Sequence, residues 1–451
     1  MPAGASAGAK AAACGRRPGR RERSMSGLRK PLTIARGIAL MLNIVIGAGI
    51  LALPGLAVKQ VGDHAFLAWI LCALASLPLL GVFIVMGRRY PDAGGIAHYA
   101  MIGFGRRGYT VASFLLLGAV LFGLPSIALT GGHYLSGVTG LPPFASGLLL
   151  LALATAMHMA PSALVSRVNA LMAVVITVAI VLLALAGALL ANSGEGAAHV
   201  PSLLPETLEP ARVALPFMML FFAFTGWEMA ANTAEEFSNP RRDFPIAMLA
   251  SFALTVSIYL VIAFATQRLG LDAGFETAFV DIARVSLGAS GGMAVAWLAG
   301  AIILANLAGA IWAVSRMLYS LSREGILPAF VRTTRGGSPW LAVGMTSLAL
   351  ASVLCASGAG LFRLDWMLAL AGQNFLILYG IAALSFLRIA RNAAEVLLAV
   401  LAGALAAYLV VAHGLAPAYP LALVVVALLV AGACRPAPAR PTPPEEVRGS
   451  A

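Results

Sequence analysis

The amino-acid sequence predicts an all-α integral membrane protein with twelve transmembrane helices. Of its 451 residues, 60% are hydrophobic and only 11% are charged, and the mean hydropathy is +0.92, whereas soluble domains carry about one quarter charged residues. Apolar runs close to the ~20 residues that cross a bilayer recur along the chain. Two of these runs are interrupted by glycine near their middle.

The expected spans follow from the apolar runs and from the polar residues that separate them. They cover residues 33–58, 65–86, 109–128, 144–159, 169–190, 213–234, 246–265, 293–317, 341–356, 364–387, 393–412 and 420–433.

The net charge of +12 could suggest a nucleic-acid partner, but the placement of the basic residues argues against one. Arginines are concentrated in the N-terminal arm and in alternate short loops, as the positive-inside rule predicts for a membrane protein. The opposite loops hold only Lys59, Arg212, Arg268, Arg284 and Arg363. We therefore expect a lipid bilayer around the protein, no nucleic acid, and both termini in the cytoplasm.

The order of the spans predicts two related units. Span one runs outward and span six inward, so units of five spans would be related by inversion, as in the LeuT-type 5+5 inverted repeat. The last two spans fall outside this repeat and are expected to pack at its periphery, where they could form the interface of a homodimer.

The expected regions are a basic disordered arm (1–30, with 1–24 a start-site extension if translation begins at Met25), the first repeat (31–192), an extracytoplasmic loop (193–212), the second repeat (213–388), the last two spans (389–434) and a disordered Pro-rich cytoplasmic tail (435–451).

The first interruption, Gly47-Ala48-Gly49, predicts a binding site for a zwitterion. A broken span is tolerated at membrane depth only where it faces protein or a water-filled cavity. The amides that open the outer half-helix suit a carboxylate. The carbonyls that end the inner half, at Val45 and Ile46, suit an ammonium. The alternative is a close helix crossing lined by small residues.

The second interruption lies around Thr225 and Gly226 in span six. Two broken spans at corresponding positions of two halves are the best sequence indication of a transporter's substrate site. Phe222, Phe224 and Trp227 surround this break and would form an apolar side-chain pocket. Ordinary packing of these rings is the alternative.

Glu228 is the carboxylate that we expect at membrane depth. Such a residue is costly and is by default a functional hypothesis, here a proton-coupling group. A hydrogen-bonded structural glutamate is the alternative. Glu235 and Glu236, close to Arg241 and Arg242, are expected to form a solvated cluster or a gate at the cytoplasmic side.

The remaining polar residues predict no catalysis. The four cysteines and six histidines show no metal-ligand spacing, and no nucleophile–base set or phosphate loop is present,. Asn43 and Asn306 are polar positions inside spans, where hydrogen bonding between helices is the ordinary role and ion binding an alternative. We expect no enzyme, no metal and no cofactor.

Three motifs in order resemble the amino acid–polyamine–organocation superfamily. They are residues 46–54 in the first span, residues 224–228 followed by 239–245, and Asn306 to Pro328 with Arg316, Tyr319 and residues 322–328. Residues 25–28, 87–99, 122–125 and 235–245 are most similar to its amino acid efflux branch.

The resemblance implies a bacterial inner-membrane exporter of L-methionine, leucine, isoleucine and valine by proton antiport. It implies that Gly47, Ala48 and Gly49 hold the substrate carboxylate and that carbonyls near Val45, Phe222 and Thr225 hold the amine. It also implies that Glu228 is the coupling glutamate. Span five lacks the lysine that some proton-coupled relatives use in place of sodium, so sodium stays open as a coupling ion. An uptake permease or exchanger is the alternative, and a non-transporting sensor a remote one.

Overall fold

The computed structural model describes residues 32–46, 48–159, 220–268, 278–335, 338–412 and 418–433, with isolated helical positions at Arg167, Leu171, Val174, Val178 and Leu182. The expected N-terminal arm, the extracytoplasmic loop, nearly all of span five, the start of span six and the Pro-rich tail lie outside the described residues. So does Gly47, together with the side chains of Ala48 and Phe222.

The described residues form α-helices and short 3₁₀ turns. The helices are α1 (Ile34–Val45), α2 (Ala48–Val61), α3 (Ala65–Arg89), α4 (Ile96–Thr139), α5 (Pro143–Met159), α6 (Trp227–Ala230), α7 (Pro240–Arg268), α8 (Ala278–Arg323), α9 (Trp340–Gly358), α10 (Leu364–Ile389), α11 (Ala393–Ala412) and α12 (Ala418–Ala433). The 3₁₀ turns are Gly62–His64, Phe222–Phe224, Ala231–Glu236 and Ala329–Arg332.

Helical structure follows from the apolar composition, because a helix satisfies its backbone hydrogen bonds within one segment. Seven helical stretches of the described chain are long and apolar enough to cross a membrane by length and composition. The apolar helices α1, α5 and α12 are shorter. The fold is therefore all-helical and of the multi-pass membrane type, while the count of twelve spans stays a prediction.

Two long helices contain a sharp kink at a glycine. In α4 Gly105 has φ 68° and ψ −162°, and in α8 Gly288 has φ 69° and ψ −162°. A left-handed φ favours glycine because a Cβ would clash with the backbone. The same backbone deviation thus occurs near the start of two helices that lie in different halves of the chain.

The bundle packs around α4, which contacts α5, α8 and α10 extensively. Helix α1 packs against α7 and α8, and α3 packs against α7. Before α1, Leu32 pairs with the chain after the second interruption, since Ser238 N–H donates to the Leu32 carbonyl at 3.0 Å and Leu32 N–H donates to the Glu236 carbonyl at 3.3 Å. The entrance to the first interrupted segment and the exit of the second are therefore held together.

Candidate functional site

The first interruption separates α1 from α2. Ile46 follows α1 with extended backbone angles, φ −76° and ψ 102°, although its N–H still donates to the Leu42 carbonyl at 2.8 Å. Helical structure resumes at Ala48. Carbonyls in the last turn of α1 consequently lack partners from a continuing helix and must be satisfied in another way.

The second interruption lies between the 3₁₀ turn Phe222–Phe224 and the short helix α6. Gly226 has φ 111° and ψ −18° there, a conformation that favours glycine. A Cβ on Gly226 would lie 3.3 Å from Cγ2 of Val45, and a Cβ on Gly49 would lie 3.2 Å from Cα of Ala223. The two interruptions therefore pack directly against each other, and glycine permits the close approach on both sides.

A cavity of about 60 Å³ lies where the two interruptions meet. This volume has room for a few water molecules, each of which needs ~10–15 Å³ by the same measure. Helices α4, α8 and α10 complete its wall. The lining residues are Ile44, Val45, Gly49, Ala119, Val120, Gly123, Leu124, Ile127, Ala223, Thr225, Gly226, Glu228, Met229, Asn306, Ala310 and Phe375.

Five residues of the predicted site line this cavity, namely Val45, Gly49, Thr225, Gly226 and Glu228. Ile46 is buried but does not line it, and its carbonyl faces α8 instead. Gly47 and the side chains of Ala48 and Phe222 lie outside the described residues.

Phe224 and Trp227 are buried away from the cavity, which differs from the expected pocket. The Phe224 ring packs against Trp69 and Tyr259, with centroids 5.9 and 5.4 Å apart. The Trp227 ring packs against Phe252 at 5.6 Å. The chain turns at Gly226, and the two rings face α3 and α7 rather than the cavity.

Glu228 is fully buried and its carboxylate bends back over the second interruption. The Gly226 N–H donates to both carboxylate oxygens at 3.0 Å, and the Tyr379 hydroxyl donates to Oε2 at 2.7 Å. A carboxylate accepts such bonds best when it is ionised. Protonation would remove one acceptor position and favour a rearrangement of the Tyr379 contact.

Several lining residues were not predicted from the sequence. Ile44, Ala223 and Met229 lie next to predicted site residues, and the others are Ala119, Val120, Gly123, Leu124 and Ile127 of α4, Ala310 and Phe375. All are apolar, and within an apolar helix periodicity does not separate a face that lines a cavity from a face that packs. For Asn306 the sequence predicts hydrogen bonding between helices, and the structure shows it donating to carbonyls of α1, although the particular partners do not follow from the sequence.

A cluster of charged residues, separate from Glu228, lies toward the end of the bundle at which α8 terminates. Glu236 is buried and bonds to the Arg316 guanidinium and to Trp312 Nε1, the latter at 2.9 Å. The neighbouring Glu235 accepts from Arg323 at 2.9 Å. The prediction of a solvated cluster near Arg241 and Arg242 is wrong for Glu236, because its side chain is buried against Arg316 and Trp312 of α8.

Arg323 also forms an ion pair with Asp92, and the Ala93 N–H donates to Glu235 at 2.9 Å. The loop between α3 and α4 is thereby joined to the exit of the second interruption and to the end of α8. These contacts join three separate parts of the chain at that end of the bundle.

Replacing Gly49 with valine is expected to reduce binding at the cavity by about tenfold to a hundredfold, since overpacking a tight site costs ~1–3 kcal/mol. The new side chain would press on Ala223, whose Cα and Cβ would both lie 3.2 Å from a Cβ at position 49. Binding of labelled methionine, the substrate that the resemblance to the efflux branch implies, to the purified protein measures the effect. Gly344→Val in α9 is the control, because a Cβ there meets no described atom within 4 Å. Equal binding by both variants would contradict the role of Gly49.

Comparisons with known proteins agree with this architecture. The sequence profile of the amino acid permease family matches residues 32–442. The uncharacterized amino acid permease YecA of Bacillus subtilis is 28% identical over 353 residues, 77% of this chain and 82% of that protein. The L-methionine/branched-chain amino acid exporter YjeH of Escherichia coli is 31% identical over 238 residues, 52% of this chain and 56% of that protein.

A solved structure extends the likeness to the fold. A Na⁺-coupled sialic acid symporter, in a substrate-bound outward-open state, superposes with a TM-score of 0.59 over 90% of this chain and 91% of that chain. At 14% identity this likeness concerns the fold alone. The profile match and the two relatives, a permease and an exporter, confirm the resemblance drawn from the sequence motifs. The chain belongs to the amino acid permease family, within the amino acid–polyamine–organocation superfamily, and is a membrane transporter rather than an enzyme.

Proposed function

We propose that the protein exports neutral amino acids, foremost L-methionine, leucine, isoleucine and valine, by proton antiport. One observation carries this proposal: the two interrupted segments meet at a largely apolar cavity that contains a single buried carboxylate, Glu228, among its described lining residues. The 31% identity to an exporter of these amino acids supports the substrate class.

The substrate would bind across the two interruptions. Its carboxylate would face the amides at the start of α2, at Gly47, Ala48 and Gly49, where the helix dipole favours negative charge. Its ammonium would face carbonyls near Val45, Phe222 and Thr225. Its side chain would lie against the apolar wall from α4 and against Phe375, where no basic residue is found among the described lining. That lining favours an uncharged side chain.

Transport would proceed by alternating access. The interrupted segments, with α3 and α7, would rock against a scaffold that includes α4, α5 and α8. The Glu228 carboxylate would link the moving segments to the scaffold side, since it bonds to Gly226 in the interruption and to Tyr379 in α10, a helix that packs against α4. A proton on Glu228 would therefore change a contact between two groups of helices that move relative to each other.

A LeuT-type 5+5 repeat with twelve spans is part of this proposal. The matching kinks at Gly105 and Gly288 and the paired interruptions support it. The proposed location is the bacterial inner membrane, with both termini in the cytoplasm. Exposed apolar residues on the two last helices, such as Val411 and Leu429, suit contact with lipid or with a second copy in a homodimer.

The test is counterflow in proteoliposomes loaded with unlabelled methionine. We expect entry of labelled methionine and competition by leucine, isoleucine and valine, with no competition by lysine or glutamate. An imposed pH gradient then measures coupling and direction. Absence of counterflow with every neutral amino acid would overturn the proposed substrate class.

An uptake permease or an exchanger is the second candidate. A relative that covers more of the chain, YecA, is described only as an amino acid permease, which fixes no direction. Net accumulation of substrate inside the vesicles, driven by an inward proton gradient, would favour uptake. Transport that requires a second amino acid on the opposite side would favour exchange.

A further inference from the structure

Asn306 lies in the middle of α8 and faces the end of α1. Its side-chain nitrogen is 3.1 Å from the carbonyl oxygen of Asn43, 2.7 Å from that of Ile44 and 3.5 Å from that of Ile46. The residue is only 3% exposed. Three main-chain oxygens around the first interruption therefore converge on one side-chain nitrogen from another helix.

The orientation of this amide is fixed by chemistry. Carbonyl oxygens only accept hydrogen bonds, so the NH₂ group rather than the oxygen must face them. The amide offers two hydrogens to three oxygens, and the contact to Ile46 is long for a hydrogen bond. The oxygen Oδ1 is buried and accepts no hydrogen bond from the described residues. The NH₂ group of Asn306 thus pairs with the carbonyls of α1, while the amide oxygen accepts no hydrogen bond from the described residues.

Gly309, one turn further along α8, permits the close approach of α8 to α1. A Cβ on Gly309 would lie 2.9 Å from Cγ1 of Ile44 and 3.1 Å from its backbone nitrogen. Glycine at this position brings the backbone of α8 against that of α1, which places Asn306 within reach of all three carbonyls.

Several carbonyl oxygens that converge on one point inside a membrane protein form the type of site that binds an alkali cation. Left without a positive partner, the oxygens would repel one another, and each buried unsatisfied carbonyl would cost free energy. At this place the positive end of an amide dipole occupies the point of convergence.

We propose that the Asn306 amide nitrogen takes the place of an alkali-metal cation at the interrupted end of α1. The protein then holds this end of the substrate site together without sodium, potassium or lithium. Removing the nitrogen while leaving an oxygen at this position creates a cation site. The proposal rests on the proposed transport function only for its transport measurement, and the stability measurement is independent of it.

Asn306→Ser is the decisive variant, because the hydroxyl adds an oxygen to the three carbonyls and removes the nitrogen. Thermal melting of the purified full-length protein is followed in choline, lithium, sodium and potassium chloride at equal ionic strength. The wild-type melting temperature should be the same in all four salts. The variant should melt lower in choline and regain stability with a saturable dependence on one alkali cation. Methionine counterflow by the variant should rise with that cation over the same concentration range as the melting temperature.

Two controls separate a cation site from ordinary loss of a hydrogen bond. Asn374→Ser in α10 removes another buried amide, whose Nδ2 donates at 2.7 Å to the Leu370 carbonyl in its own helix, and it should show no response to alkali cations. Asn306→Leu leaves no oxygen and should lose stability equally in every salt.

If Asn306→Ser does not fold in choline, purification in each alkali salt and the second variant Asn306→Asp provide the same measurement. A wild-type protein that needs an alkali cation for stability would overturn the proposal, as would two variants that respond to none. Wild-type protein without methionine counterflow, combined with a cation-dependent melting of Asn306→Ser, would overturn the proposed substrate and support this inference.

Discussion

Replacing Glu236 with alanine is expected to destabilise the protein by about 3–5 kcal/mol, because it leaves the buried Arg316 guanidinium without its carboxylate. Both side chains are 1% exposed. Trp312 Nε1 would lose its acceptor as well. Thermal and chemical denaturation of the purified protein in detergent measures the loss of stability.

Glu235→Ala is the matched control one residue earlier. The Glu235 side chain is 25% exposed, and its partner Arg323 keeps a second carboxylate, that of Asp92. Since partly exposed ion pairs contribute only ~0–1 kcal/mol, we expect a small effect. Equal losses in the two variants would contradict the enclosed ion pair.

A double variant distinguishes the charge from the packing. Combining Glu236→Ala with Arg316→Met removes both charges and should restore much of the stability that Glu236→Ala loses, as replacement of buried ion pairs by apolar residues often does. Strictly additive losses would indicate that the two side chains do not interact.

The sequence was sufficient to predict both interruptions, because glycines within apolar runs are strong local signals. Val45, Gly49, Thr225 and Gly226 were predicted at the site for the same reason, since the chain leaves helical geometry at or next to them. Helix α11 (Ala393–Ala412) coincides with an expected span, whereas α4 (Ile96–Thr139) and α8 (Ala278–Arg323) extend beyond the spans expected at 109–128 and 293–317.

Side-chain directions beyond an interruption could not be predicted in this way. Helical periodicity places a side chain only while the helix continues, and the chain passes from a 3₁₀ turn through Gly226 into a helix of four residues. The next segment, Ala231–Glu236, is again a 3₁₀ turn. This change of geometry directs Trp227 toward Phe252 and Glu236 toward Arg316, and neither direction follows from spacing along a regular helix.

The contribution of α4 to the cavity has a different explanation. Beyond Arg106 and Arg107 its sequence is largely apolar on all sides, and the helix packs against α5, α8 and α10. Only the packing of the other helices decides which of its faces meets the cavity. A pattern of apolar residues therefore predicts the helix but not the site residues Ala119, Gly123 and Leu124.

Glu228→Gln is expected to abolish proton-driven transport while preserving substrate exchange. Glutamine keeps the length of the side chain, and its oxygen can accept the hydrogen bond from Gly226 that Glu228 now accepts at 3.0 Å. It cannot take up or release a proton. Export driven by a pH gradient should therefore fall to the level without a gradient, and the pH dependence of transport should become flat.

Counterflow at equal pH on both sides is the internal control, because exchange of labelled for unlabelled methionine needs no net proton movement. Tyr379→Phe removes the 2.7 Å hydrogen bond to Glu228 but leaves the carboxyl group, so it should shift the pH dependence rather than abolish it. If Glu228→Gln retains gradient-driven export, the coupling group lies elsewhere and Glu228 serves to hold the second interruption. If it loses exchange as well as export, the carboxylate is needed to shape the cavity itself, since Gly226 and Glu228 both line it.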